Sequence, residues 1–152
     1  MDYCSPVWSP HHVTEIQRLE SVQRMFTKYL HGFHGLSYAE RLKKLGLCTL
    51  ELRRLLADLT LCFKMLYRFT IVSDLNLFFT HEANNRTRGH SMRLKASKPR
   101  LDTKRYCFAY RTAKVWNGLK SDTVCAPNVT AFRCLLLKEN LSLHLSTNYD
   151  YL

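Results

Sequence analysis

The sequence predicts a mainly α-helical protein: a small antiparallel bundle of about five helices with a basic, largely irregular or short-strand segment in the middle. Two observations predict the helices. Apolar residues recur every three or four positions in five separate stretches, which is the spacing of one helical face. Capping residues and glycines stand at the ends of most of these stretches. A third observation predicts the irregular segment in the middle: residues 80–99 lack this spacing and are rich in cations.

The first predicted helix begins at Ser9 and Pro10, a capping residue followed by a proline in the first turn, and ends at Gly32. One of its faces carries apolar side chains at helical spacing: Val13, Ile16, Leu19, Val22, Phe26 and Leu30. We expect this face to pack against the rest of a bundle. If its normal neighbour is absent, the face is left partly exposed and favours self-association of the chain.

The next two predicted helices have clear ends. Ser37 and Glu40 form a capping box, in which each side chain accepts a hydrogen bond from the other residue's backbone N–H, and Gly46 ends this short helix. Thr49 caps a longer helix over residues 50–69. Its apolar stripe is wide and typical of a core: Leu52, Leu55, Leu56, Leu59, Cys62, Phe63, Leu66 and Tyr67. Short turns between three helices predict an antiparallel bundle.

The middle of the chain, residues 71–105, shows no sustained helical spacing. Arg93, Lys95 and Lys98 alternate there with apolar residues for a few positions. This alternation predicts a brief strand.

Helical spacing returns at residues 106–119. Asn128 caps a last helix, predicted over residues 129–141. The sequence therefore predicts four parts: a helical bundle (1–70), a basic loop or linker (71–105), a C-terminal helical pair (106–141) and a frayed tail (142–152).

The positive charge of the chain is local. The whole sequence has 23 Lys and Arg against 12 Asp and Glu, a net charge of +11. Between Arg86 and Lys114 ten cations stand against one acid, Asp102, so ten minus one gives +9 in this stretch. Such an excess of positive charge indicates a polyanionic partner. Nucleic acid is the first candidate, and an acidic membrane surface is the second. We predict sequence-tolerant binding of RNA or DNA through Arg86, Arg88, Arg93, Lys95, Lys98, Arg100, Lys104, Arg105 and Arg111.

Aromatic residues are interleaved with these cations. Tyr106, Tyr110 and Trp116 have the chemistry to stack on unpaired bases. Their helical spacing favours the other interpretation, in which they are core residues of one amphipathic helix. For the cations, the alternative is a solvated basic loop. The chain would then be a non-catalytic helical interaction module with no nucleic-acid role.

The sequence predicts no catalytic residue and no metal site. His81-Glu82 begins a zinc-helix pattern, but Asn85 stands where the second histidine is required. The cysteines lack zinc-knuckle spacing, the acids are spread singly, and no phosphate-binding glycine loop is present. A small hydrolase that uses Cys and His is the remaining enzymatic alternative. Cys62 and Cys134 fall in apolar helical patterns, and we expect both to be buried.

The N-terminus has no basic region followed by an apolar core, so a secretory signal is not expected. Lys64, Arg68 and Asp74 interrupt the best apolar run, which leaves it too short for a membrane span. The cysteine spacing is typical of a reduced compartment. We expect an intracellular protein, nuclear or cytoplasmic, that is neither secreted nor membrane-bound.

Short motifs follow one another in a particular order between residue 3 and about residue 137. They are Tyr3–Pro10, Leu19–Arg24 with Phe26, Leu36–Leu42 with Leu45–Leu47, Leu50–Leu55, Arg86–Ser91, Tyr110-Arg111 with Val115–Asn117, and Ala126-Pro127. In this order the chain resembles the segment after the polymerase palm in reverse transcriptases of non-LTR retrotransposons, the LINE-type, jockey-like elements.

The resemblance implies a helical thumb and the region after it, which grip template and primer. It also implies that the catalytic palm, whose paired aspartates hold two Mg²⁺ ions, would precede Met1. The chain is then expected to be a truncated fragment of an RNA-directed DNA polymerase, with no cofactor of its own and with the missing palm as a partner.

Overall fold

A computed structural model of the protein describes residues 4–71, 75–81, 90–95 and 106–146. Over these residues the chain is mainly helical, as predicted. It forms seven α-helices there: α1 (Ser5–Trp8), α2 (Val13–Tyr29), α3 (Tyr38–Leu45), α4 (Leu50–Leu66), α5 (Phe108–Trp116), α6 (Ser121–Val124) and α7 (Val129–Leu136). Two 3-10 turns occur at Leu75–Leu77 and Ser142–His144.

Two short strands, β1 (Thr80–His81) and β2 (Leu94–Lys95), pair in antiparallel fashion. Thr80 lies opposite Lys95, and His81 lies opposite Leu94. The brief strand expected from the alternation near Arg93 is therefore present, and it covers only two residues.

The chain divides into two compact units. The first contains Met1–Arg54 together with Asn140–Leu152, and the second contains Leu55–Glu139. Helix α4 begins in the first unit and continues into the second. The four-part division expected from the sequence stays a prediction.

Local capping sets the ends of α3, as predicted. The Ser37 hydroxyl accepts a hydrogen bond from the Glu40 N–H, and the Glu40 carboxylate accepts one from the Ser37 N–H at 2.7 Å. Hydrogen bonding to the side chain and then to the backbone of Ser37 lowers the pKa of Glu40, because it stabilises the charged carboxylate. Gly46 ends the helix at φ 64°, a left-handed conformation that favours glycine.

Helix α4 starts where the sequence predicts and ends three residues earlier than expected. The Thr49 hydroxyl accepts a hydrogen bond from the Leu52 N–H at 3.2 Å. At the other end Arg68 takes up φ 56°, and the Phe69 N–H bonds back to the Lys64 carbonyl at 2.8 Å. This is a left-handed helix end without glycine, so no residue type in the sequence marks it.

Helix α2 buries a different face from the one the sequence predicts. Its buried residues are Ile16, Glu20 and Thr27, and Gln23 beside them is half-buried. Of the six apolar residues expected to face inward, only Ile16 is buried, whereas three are exposed: Val13, Val22 and Phe26. The predicted face is therefore wrong, and the polar partners of Glu20 explain why.

The Glu20 carboxylate joins α2 to both following helices. Fully buried, it accepts a hydrogen bond from the Tyr38 hydroxyl on α3 and one from the Leu50 N–H, at 3.0 Å, where α4 begins. The Gln23 side chain donates to the same Tyr38 hydroxyl at 3.2 Å and to the Cys48 carbonyl oxygen at 3.0 Å. The first N–H groups of a helix lack intrahelical partners and favour negative charge. A carboxylate on α2 therefore satisfies the start of α4.

Arg41 completes this polar interface from α3. Its side chain is buried, and it donates hydrogen bonds to the Thr27 hydroxyl at 3.3 Å and to the Leu36 carbonyl oxygen at 2.7 Å. Its guanidinium carbon lies 5.7 Å from the centre of the Tyr38 ring. The first unit is thus held by a connected set of satisfied polar groups.

The second unit has an aromatic core. The Phe63 ring on α4 stacks on Phe132 of α7 with 4.3 Å between ring centres, and Trp116 of α5 lies 6.0 Å from the same Phe132 ring. All three side chains are fully buried. The Asn128 side chain accepts from the Ala131 N–H at 2.8 Å and caps α7 as predicted, although the helix ends at Leu136 and not near Leu141.

We predict that Glu20→Gln lowers the free energy of unfolding by about 1–3 kcal/mol, because a carboxamide cannot accept from both buried donors with the strength of a carboxylate. Urea titration followed by circular dichroism measures it. Glu15→Gln, at an exposed position of the same helix, is the control and is expected to change stability little. Equal effects of the two substitutions would contradict the central role of Glu20.

Candidate nucleic-acid interface

Three of the nine predicted binding residues, Arg93, Lys95 and Arg111, belong to the part of the chain that the structure describes. The other six fall outside the described residues: Arg86, Arg88, Lys98, Arg100, Lys104 and Arg105. The geometry of the candidate interface is therefore built from residues 90–95 and from helix α5.

Residues 90–95 are anchored to the C-terminal end of α5 by two neighbouring side chains. The indole N–H of Trp116 donates to the Met92 carbonyl oxygen at 2.8 Å. The Asn117 amide pairs with the backbone of Leu94 twice, donating to its carbonyl oxygen at 2.8 Å and accepting from its N–H at 2.9 Å. A primary amide carries one donor side and one acceptor side, so it bonds both groups of one residue as a neighbouring strand would.

His90 adds a further contact at the start of this segment. Its ring is buried, and its Nε2 lies 3.0 Å from the carbonyl oxygen of Trp116. The two rings meet edge to face with 6.2 Å between their centres. The histidine thus joins Trp116 and Asn117 in holding the segment.

The two residues of β2 differ in their exposure to solvent. Leu94 is only 1% exposed, whereas the next residue, Lys95, is exposed. Successive side chains of a strand point to opposite faces, so fixing Leu94 inward directs Lys95 outward. Of the three predicted residues that the structure describes, Lys95 is exposed, whereas Arg93 and Arg111 are half-buried.

Lys114 is a candidate that is missing from the predicted set. It lies three residues before Asn117 on α5, and its side chain is exposed. Residues three apart share a helical face, so Lys114 lies on the side of α5 that carries Asn117, whose side chain holds Leu94. The charge count includes Lys114, and the pairing of Asn117 with Leu94 is what makes it a candidate.

Arg111 has a structural role within the second unit. Its Nε donates to Oδ2 of Asp58 at 2.7 Å and its Nη2 donates to Oδ1 at 3.1 Å, a two-point ion pair with a carboxylate that is only 2% exposed. A third hydrogen bond reaches the Tyr106 carbonyl oxygen at 3.1 Å. The partners explain its position on α5, whereas its part in nucleic-acid binding stays a prediction.

The aromatic residues of this stretch differ in burial. Trp116 is fully buried, which confirms the core interpretation for that residue. Tyr110 is half-buried, and Tyr106 is 40% exposed and precedes the first turn of α5, so it is not a core residue.

Among the residues that the structure describes, no group of three or more His, Cys, Asp or Glu side chains is arranged to hold a metal ion. Burial, with a contribution from Asp58, raises the pKa of the Cys62 thiol, so this cysteine is a poor nucleophile. Cys134 was expected to be buried and is exposed, because α7 buries Phe132 and Leu136, one turn apart, and Cys134 lies between them on the other side.

Among the described helices, none combines the length and the apolar character that a membrane crossing requires.

Comparisons of the chain with protein-family models, with curated proteins and with solved structures gave no match.

We predict that Asn117→Ala accelerates amide hydrogen exchange at Leu94 by about tenfold, because the substitution removes both bonds that hold this backbone. Exchange read by nuclear magnetic resonance measures it. Asn140→Ala, at an exposed asparagine, is the control and is expected to leave Leu94 unchanged. If Leu94 exchanges at the wild-type rate in the Asn117 variant, the anchoring is not what protects it.

We predict that Arg111→Gln lowers the free energy of unfolding by about 2–4 kcal/mol, because it removes the two-point ion pair that Arg111 makes with the buried Asp58 carboxylate. Denaturant titration measures the loss. Arg133→Gln, on the exposed side of α7, removes the same charge and is expected to cost little. A loss at Arg111 no larger than that at Arg133 would show that the pair contributes nothing to stability.

Proposed function

We propose that the chain binds RNA or DNA without sequence preference, as the thumb-like segment that follows the palm in a non-LTR retrotransposon reverse transcriptase. One observation carries the proposal. Residues 92–94, which belong to the stretch that supplies most of the net positive charge of the sequence, are held on the end of α5 by Trp116 and Asn117, and Lys95 beside them is exposed. Cations fixed on a framework contact successive phosphates at a lower entropic cost than cations on a loose chain.

The motifs that carry the resemblance also coincide with residues that organise the fold, and this supports the proposal. Glu20 lies in the Leu19–Arg24 motif, and the capping box of α3 lies in the Leu36–Leu42 motif. Trp116 and Asn117 end the Val115–Asn117 motif, and their side chains anchor residues 92–94. If the chain shares the framework of these reverse transcriptases, its shared motifs are expected to include the residues that hold the fold together.

The proposed role of the chain is to bind nucleic acid and not to catalyse a reaction. In such a polymerase, phosphoryl transfer belongs to a palm whose paired aspartates hold Mg²⁺. The cations of this chain would hold the phosphates of template and primer, and Tyr106, whose side chain is 40% exposed, would stack on an unpaired base.

A second candidate function is that of a helical interaction module without a nucleic-acid role. The exposed apolar side chains of α2, among them Met25, Phe26 and Tyr29, favour it. Binding measurements on variants of the basic segment distinguish the two candidates.

We predict that Lys95→Gln combined with Lys114→Gln weakens binding to a single-stranded oligonucleotide by about three- to tenfold at moderate salt, because two phosphate contacts are lost. The slope of log affinity against log salt should fall by about 0.7 per contact. Fluorescence anisotropy measures both quantities.

The matched control is Lys43→Gln combined with Lys138→Gln. Both lysines are exposed and lie outside residues 86–114, the stretch with the excess positive charge. The control carries the same net charge, so it isolates position from total charge. Equal weakening by the two double variants would mean that net charge alone attracts the oligonucleotide. The proposal would then fail, and the interaction-module function would be preferred.

A further inference from the structure

Four large side chains form a row on the outer side of α2: Val22, Met25, Phe26 and Tyr29, exposed by 44, 55, 67 and 75%. Positions i, i+3, i+4 and i+7 lie along one face of a helix. We call this row the α2 outer stripe. It lies on the opposite side of the helix from the buried Glu20 and Thr27.

The outer stripe is exposed because polar contacts fix which side of α2 faces inward. Glu20 and Gln23 make hydrogen bonds to α3 and to the residues leading into α4, so these two polar side chains lie on the inner side and the stripe lies outside. This reverses the usual arrangement of a surface helix, in which the apolar stripe faces the core. An exposed apolar row of this kind marks an interaction surface.

We propose that the α2 outer stripe is the face through which two copies of this chain associate as a two-fold symmetric dimer. The exposed parts of its four side chains offer roughly 400–500 Å² per copy, given about 150–250 Å² for a whole aromatic side chain. Two copies would bury about 900 Å² through the stripe, slightly less than the roughly 1,000 Å² of a stable specific interface, so we expect a weak dimer that forms at high protein concentration.

The order of residues along the stripe suits an isologous contact. In an antiparallel pair of α2 helices whose two-fold axis passes between Met25 and Phe26, Met25 of one copy lies opposite Phe26 of the other. Sulfur and aromatic ring attract each other at such a contact. Val22 lies opposite Tyr29 in the same way. A two-fold contact closes on itself, so it ends at the dimer and leaves no stripe for a third copy.

The charges of the chain set the salt dependence of this dimer. Each copy carries +11, and Arg18 and Lys28 are exposed on α2 close to the stripe. The two copies therefore repel each other, and salt screens the repulsion. Dimerisation should strengthen with salt, whereas nucleic-acid binding should weaken with it, so the two properties are separable on one sample.

Sedimentation equilibrium over a wide range of protein concentration tests the proposal. We expect a monomer–dimer equilibrium whose dissociation constant rises at least about tenfold in the double variant Met25→Gln with Phe26→Gln, the size of effect expected for central interface residues. Leu137→Gln with Leu143→Gln is the matched control, because both leucines are exposed, by 63 and 88%, and neither belongs to α2. The control should dimerise like the wild type.

Circular dichroism establishes that each variant keeps its helix content. If the double variant unfolds, Tyr29→Gln alone serves in its place, since this side chain is 75% exposed and is expected to be unimportant for the monomer. A wild type that stays monomeric at every concentration overturns the proposal and leaves a different protein as the occupant of the stripe. Species larger than a dimer, or dimerisation unchanged by the stripe substitutions, overturn it as well.

Discussion

The arrangement of the first unit depends on one buried carboxylate. Glu20 accepts hydrogen bonds from Tyr38 on α3 and from the first N–H group of α4, so one side chain relates three helices. A buried carboxylate without such donors would be strongly destabilising. The donors have to be in place whenever the helices pack, and this requirement selects a single arrangement among those that apolar contacts alone would allow. The same requirement turns the polar side of α2 inward and leaves Val22, Met25, Phe26 and Tyr29 outside.

A comparable arrangement holds the second unit. The Asp58–Arg111 ion pair relates α4 to α5, and the Phe63–Phe132 stack relates α4 to α7. On this framework Trp116 and Asn117 fix residues 92–94. This attachment links the core of the unit to the proposed binding of phosphates.

Local patterns predicted those parts of the fold that depend on neighbours in the chain. The capping box at Ser37 and Glu40 and the caps at Thr49 and Asn128 involve residues three positions apart, so the sequence shows them directly. The inner face of α2 could not be predicted in this way, because the partners of Glu20 lie 18 and 30 residues away. The same holds for Asn117, which pairs with a residue 23 positions earlier, and for the helix end at Arg68, where no glycine stands. The burial of Trp116 was predicted, and its indole bond to Met92 was not.

The salt dependence of RNA binding tests whether residues 86–114 bind the phosphates of nucleic acid. The affinity of the whole chain for a single-stranded RNA should be measured between about 50 and 200 mM salt. We expect a linear fall of log affinity with log salt and a loss of about a hundredfold or more for six or more phosphate contacts. An affinity that barely changes over this range, or no measurable binding at the low-salt end, would contradict it.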